Sequence, residues 1–213
     1  MPNAIDPLAT RRSVPPLLLN DPAPEGAVLD QLLTVATRVP DHGKLTPWRI
    51  RIIRGAARER FGDLLAQVFG EANPQASAEQ IAFERARPMR SPLILCVVSC
   101  AREHVKIPRW EQTLSAAAVC MNTLHAAQAL GFGGSWLTEW YAYDAKVRAA
   151  LDVAEDEKIA GFIYIGTPKS VPEDRQRPVL ADVVSEWSGP ARRRCAPSPR
   201  PPSPATGPPS SSD

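Results

Sequence analysis

The longest helical pattern in the chain runs from Arg109 to Leu130, and it constrains the fold more than any other feature. Trp110, Leu114, Ala117, Met121, Leu124 and Gln128 recur three and four residues apart, the spacing of one helix face. At 1.5 Å per residue such a helix is about 30 Å long, enough to cross a small domain. Alanines surround the stripe and let other backbones approach closely. The segment therefore reads as a central, buried helix. Gly131 stands just past its end, where glycine readily takes the left-handed conformation that stops a helix.

Around this element the pattern alternates between helix and strand. Shorter helices are expected at about 4–12, 24–38, 56–69, 77–87 and 143–151. The first runs into Pro15 and Pro16, and the second carries Leu29, Leu32, Leu33 and Ala36 on one face. "WRIRII" sets Ile50 and Ile52 against Arg49 and Arg51, the alternation of a half-buried strand. "PLILCVVSC" is apolar almost throughout, as expected of a strand covered on both faces. Further strands are expected at about 134–138 and at "IAGFIYIG". The sum is one α+β domain over 1–188 with a sheet of four or more strands, and no internal repeat.

The last 25 residues differ in kind. They hold four arginines and one aspartate, a surplus of +3, which leaves −1 for the first 188 residues of a chain whose total is +2. Rich in proline and serine and poor in apolar residues, 189–213 cannot bury enough surface to fold and reads as a disordered tail. Arg192, Arg193 and Arg194 are its only argument for an anionic partner; nucleic acid is not the expected one. No stretch approaches the ~20 apolar residues of a membrane span, and the N-terminus lacks the layout of a signal peptide. Cys96 and Cys100 lie about 13 Å apart along their strand, too far for a disulfide, and none of the four cysteines has a metal-binding spacing. A cytoplasmic protein with reduced thiols is the expectation.

The glycines of "GFGGSW" invite a dinucleotide-binding reading, but that fingerprint needs a strand before the glycines and a helix after them. Here the order is reversed. His42, His104 and His125 have no ligand-like spacing, and no metal site is expected. Three basic clusters remain: Arg11, Arg12 and Ser13; Arg38, His42 and Lys44; and Arg175 with Arg177. Paired guanidiniums beside a hydroxyl suit a phosphate. Each cluster taken alone also reads as exposed surface charge.

Their order along the chain carries more than any one of them. "RRS" near the N-terminus is followed by "VPDHGKLTPW", then by "KIPRWEQTLSAA" leading the long helix into "GFGGSW", then by "GFIYIGTP" and "RQR". This succession resembles the FMN-dependent nitroreductase family, and within it a compact bacterial branch, over about residues 5–187. The resemblance implies a nitroreductase-like α+β fold. Its mixed or antiparallel sheet of four to five strands would pack with helices around a long central helix, in a homodimer that shares the FMN site.

Residue by residue, the resemblance implies that Arg11, Arg12 and Ser13 hold the FMN phosphate and ribityl chain. It implies that Arg38 and His42 reach the flavin from the other subunit, and that Trp136, Leu137 and Thr138 lie along the ring. Arg175 and Arg177 match a Lys/Arg-x-Arg pair that grips the phosphate in other branches. The family often continues "RRSxR", whereas here a proline stands in the last place. The implied reaction is FMN-dependent oxidation of NADH or NADPH. Hydride passes through flavin N5 to nitroaromatic, quinone or similar small acceptors by a ping-pong sequence, and no side chain need act as proton donor, since water can supply the proton. Arg12 or Lys44 is the candidate for stabilising charge on the reduced ring. Two alternatives stand beside it: a flavoenzyme of the same fold with another redox substrate, and a flavin-binding protein with a nucleic-acid-interacting basic tail.

Overall fold

Lys158–Pro168 forms the longest strand, β5, and three other strands pair with it, all antiparallel. The computed structural model describes residues 5–170 and 172–189. Residues Phe162 to Ile165 of β5 face partners in both β3 (Leu93–Ser99) and β4 (Gly133–Leu137), so this stretch is hydrogen-bonded on both edges. The two-residue β1 (Leu19–Asn20) pairs with Thr167 and Pro168, and β2 (Trp48–Arg54) closes the far side of β3. The sheet is thus five-stranded and antiparallel.

Alternate residues of β3 and β5 feed two cores, one on each face of the sheet. Ile94, Cys96, Val98, Phe162 and Tyr164 pack with Phe61, Leu65 and Val68 of α3 (Ala56–Ala72) and with Val147 of α6 (Ala145–Ala150). Leu93, Leu95, Val97, Ile163 and Ile165 pack with Leu29 and Leu32 of α2 (Gly26–Ala36) and with Val119, Cys120 and Leu124 of α5 (Arg109–Ala129). Coverage on both faces explains why "PLILCVVSC" shows no polar alternation. The α1 helix (Ile5–Thr10) lies against α5, and α4 (Ala78–Ala86) lies against α3 behind a capping box of Ser77 and Gln80. Among the described residues no helix is long and apolar enough to cross a membrane. Cys96, Cys100 and Cys120 are free thiols, and burial pushes Cys96 and Cys120 up to about 12.

The chain divides into two compact units, the first ending at Asp174 and the second beginning at Arg175. In the second, an exposed stretch leads to a single helical turn, α7 (Leu180–Val183). Val179, Leu180, Val183, Val184 and Trp187 are all exposed there. Apart from Gly189, the tail expected at 189–213 lies outside the described residues.

Two expectations need correction. The stripe assigned to the core of α5 is largely the other face: Trp110 is 69% exposed and Leu114 49%, and only Leu124 of that stripe is buried. The buried face instead carries Gln112 and Ser115, which bond the loops at 102–107 and Pro40, and Ala116, Val119, Cys120, Thr123, Ala126 and Ala127. From Ala116 onward these side chains are mostly small, so the helix lies close to β3 and β5, where a tryptophan would hold it away. In β2, Ile50 packs against the core as expected, but Ile52 is exposed, Arg49 is half-buried and Arg51 stays 41% exposed on the face that buries Ile53. Arg49 is satisfied by Glu157, by the Asp152 carbonyl and by Cys100 Sγ at 3.1 Å; Arg51 pairs with Asp152. Charge pairing has overridden the simple alternation.

The hydrogen bonds from Arg49, opposed by burial, hold the Glu157 carboxyl down at about 2 instead of 4.5. A depressed acid stabilises the fold above its unfolded pKa and loses that contribution as pH falls through the folded one. Urea stability of the wild type is therefore expected to drop more steeply between pH 4.5 and 2 than that of Glu157→Gln. Parallel curves would show that the pair contributes nothing measurable.

Candidate functional site

The end of α5 and the chain after it are built around close approach. Leu130 is the last helical cap residue, Gly131 follows at φ 86°, and the Gly131 and Phe132 N–H groups donate back to the carbonyls of Gln128 and Ala127. This paired return closes the helix and starts β4 at once. Val14 N–H donates to the Gly134 carbonyl at 3.0 Å, so the Arg11–Val14 segment runs beside the start of β4. A Cβ on Gly134 would lie 2.9 Å from Leu124 Cδ2 and 3.2 Å from the Tyr164 carbonyl oxygen. The glycines of "GFGG" therefore serve packing between helix, strand and the "RRS" segment.

Between these pieces lies a cavity of about 180 Å³, lined by Arg11, Arg12, Leu124, Gln128 and Gly131 to Gly134 among others. Arg11 Nη1 lies 3.5 Å from Ser13 Oγ, and together with burial the Arg11 charge lowers the pKa of His125 on α5. The Arg12 side chain is only 18% exposed. Its Nη1 is buried without a hydrogen-bond partner among the described residues; the Asp174 carboxylate sits 3.8 Å away, beyond hydrogen-bond range. A donor of this kind has a charge-assisted bond to offer an anion in the cavity.

The loop after α2 is held at the other end of α5. The Asp41 carboxylate accepts the N–H groups of Leu45 (3.0 Å) and Thr46 (2.9 Å), which supports Gly43, Lys44 and Thr46 at positive φ. His42 Nδ1 lies 2.7 Å from Glu111 Oε2, Ser115 Oγ donates to the Pro40 carbonyl, and Gly43 lies against Ile107. Glu111 and Ser115 are four residues apart on α5, and with Ile107 just before the helix they hold the loop. Arg38 is exposed, and its carbonyl accepts from Asn122 Nδ2 at 3.3 Å. Glu111 was not among the candidates drawn from the sequence; its signal was this four-residue spacing.

Within one chain, then, His42 and Lys44 lie far from Arg11, Arg12 and Ser13, whereas the Arg38 backbone sits beside Asn122. From Glu111 to Leu124 the helix rises about 20 Å, with His42 and Lys44 at one end and Arg11, Arg12 and Ser13 at the other. Trp136 and Leu137 belong to β4 and Thr138 follows it, exposed. The Trp136 indole donates to the Ala160 carbonyl at 3.0 Å and covers Gly161, so its ring is engaged with β5 and its backbone is what it presents at the sheet edge. Arg175 and Arg177 are exposed in the second unit. Among the described residues no group of acidic, histidine and cysteine side chains is placed to hold a metal.

Residues 8–167 match the pattern of the Nitroreductase family, and the chain belongs to that family of oxidoreductases. It is 40% identical over 169 residues to an Escherichia coli K12 protein named "Putative NAD(P)H nitroreductase YdjA", covering 78% of this chain and 89% of that one. The crystal structure of a nitroreductase-like family protein from Bacillus cereus superposes with a TM-score of 0.78 at 23% identity, over 89% of this chain and 98% of that chain. A structure of a variant of NfnB, described as an FMN and NADPH-dependent nitroreductase, superposes with a TM-score of 0.66 at 21% identity, over 88% and 99%. The fold is nitroreductase-like.

The close packing at Gly134 gives a direct test. Gly134→Ala must push against the Tyr164 carbonyl, which cannot swing aside, and is expected to cost about 1–3 kcal/mol of stability. Urea unfolding checks this; an unchanged midpoint would mean that the strand shifts freely.

Proposed function

We propose that the chain is an FMN-dependent NAD(P)H oxidoreductase that reduces nitroaromatic compounds, quinones or similar small acceptors. The observation that carries the reading is the cavity against "GFGG" lined by Arg11 and Arg12, with Ser13 beside Arg11 and an Arg12 Nη1 that lacks a hydrogen-bond partner among the described residues. Cationic donors in a cavity of this size fit a terminal phosphate, and Arg12 is preorganised to receive it. When bound, FMN supplies hydride transfer between a nicotinamide and the acceptor, the two taking turns at one site. The chain's own residues bind and orient. Arg11, Arg12 and Ser13 would hold the phosphate end, and the backbone of Trp136 to Thr138, at the exit of β4, would bind the ring. NAD(P)H dependence follows the names of the relatives, and the free thiols fit a reducing cytoplasm.

A two-fold dimer completes the site in this reading. The exposed stripe of α5 carries Trp110 and Leu114 near the start of the helix, large apolar side chains left uncovered in the single chain. Burying one such side chain stabilises by about 1.5–3 kcal/mol, so a few suffice to favour pairing. With a two-fold axis perpendicular to α5 the two helices run antiparallel, an arrangement that would set the His42 end of one beside the Arg12 end of the other. That arrangement brings Arg38, His42 and Lys44 to the flavin of the partner.

Purified protein is expected to release FMN, not FAD, on denaturation, and its yellow colour should bleach with NADH or NADPH under argon. Arg12→Ala should weaken FMN binding about tenfold to a hundredfold, the 1.5–3 kcal/mol of a charge-assisted bond. Unaltered titrations would return the cluster to surface charge. The shared site is tested by complementation. One variant carries Arg11→Ala with Ser13→Ala, the other Arg38→Ala with His42→Ala, each nearly inactive alone. About half of randomly reassociated dimers are mixed, and each mixed dimer has one undamaged site, so roughly a quarter of wild-type activity should return. A mixture with confirmed subunit exchange and no gain would place both clusters on one subunit's site or outside it.

A further inference from the structure

β4 ends its ladder at the Leu137–Phe162 pair, so the position of Thr138 depends on what holds the next residue. That residue is Glu139, and four donors converge on its carboxylate. Arg87 Nη1 and Arg90 Nη2 donate to it, Arg90 Nη1 adds a bond at 3.2 Å, and Tyr141 Oη donates at 2.6 Å. The same guanidiniums are themselves fixed. Glu84 takes Arg87 Nε and Nη2, Arg90 lies 5.2 Å over the Tyr164 ring, and Tyr164 Oη is 2.7 Å from Tyr141 Oη. Trp140 Nε1 donates to Glu84 at 2.7 Å, so both residues after Thr138 are tied to the turn at Arg87–Arg90.

Two arginines and two glutamates cancel in charge, and all four are largely shielded, with exposures between 6% and 24%. Shielded ion pairs of this kind add little net stability compared with apolar packing, but they define direction, because each carboxylate lone pair must meet its donor. The direction defined here is that of the chain leaving β4. We propose that Glu139 is a positioning residue: its clamped carboxylate sets the backbone of Leu137 and Thr138 at the angle needed to lie along the flavin ring. This rests on the FMN reading above. Glu139 acts through the backbone before it and makes no contact with substrate itself.

The test uses the full-length protein in two states. In the flavin-free state, amide hydrogen exchange is followed for peptides covering 136–140, with peptides of β3 and β5 as internal references. In the loaded state, FMN affinity and the shape of the bound flavin's visible absorption band are measured. Glu139→Gln should speed exchange at 136–140 at least tenfold, leave β3 and β5 unchanged, weaken FMN about tenfold and alter the band. Tyr141→Phe keeps both ion pairs and removes the hydroxyl's bonds to Glu139 and Tyr164, and should give the same pattern at about threefold; it carries the test if Glu139→Gln does not fold. Faster exchange with unaltered FMN affinity and spectrum would overturn the proposal, leaving the cluster a purely structural clamp, and so would unaltered exchange. Wild-type protein that fails to bind FMN would instead overturn the functional reading itself, before any variant is compared.

Discussion

β5 is bonded on both edges and buried on both faces, and the rest of the first unit follows from that double enclosure. A strand in this position has no solvent to satisfy its backbone, so β3 and β4 must pair with it over the same residues. Its side chains then divide, Phe162 and Tyr164 to one core and Ile163 and Ile165 to the other. Each core needs a helical cover, which α3 and α6 supply on one face and α2 and α5 on the other. The candidate site is a consequence of this arrangement. Where β4 starts against β5 it also meets the end of α5 and the "RRS" segment, and the cavity opens at that junction.

The second governing element is α5, which works on two faces. Its small-residue face lies against the sheet, and its large-residue face, with Trp110 and Leu114, is left outward. Its ends hold the two halves of the polar machinery about 20 Å apart. The helix therefore acts as a spacer in one chain. In a two-fold pair it would act as a bridge, since antiparallel partners exchange ends. Rigidity matters more than affinity in such a device: the loop at 40–46 is gripped by Ile107, Glu111 and Ser115, and the exit from β4 by Arg87, Arg90 and Glu139. Both are polar clamps on backbone that would otherwise be free to move.

The sequence by itself determined the order of α1 to α6 and of β2 to β5, though not the two-residue β1 or the single turn α7, and with them the double-sided burial of β3, the stop at Gly131 and the family. These are local or periodic properties, or an ordered set of short motifs, and they are written in neighbouring residues. It also showed that "GFGG" follows a helix and precedes a strand, which removed the dinucleotide reading. The tertiary structure decided the rest. Which face of α5 turns inward could not be read from its pattern, because both faces are apolar and the choice depends on how closely the sheet must approach. Arg49 is half-buried because Glu157 comes to meet it, and Arg51 pairs at the surface with Asp152, both partners about a hundred residues later in the chain. Glu111 and Glu139 acquire their roles the same way, from His42, Arg87 and Arg90, partners that only the packed fold brings within hydrogen-bond range. Periodicity reports what a residue's neighbours in sequence require, whereas charge pairing and close packing are settled by residues distant in sequence.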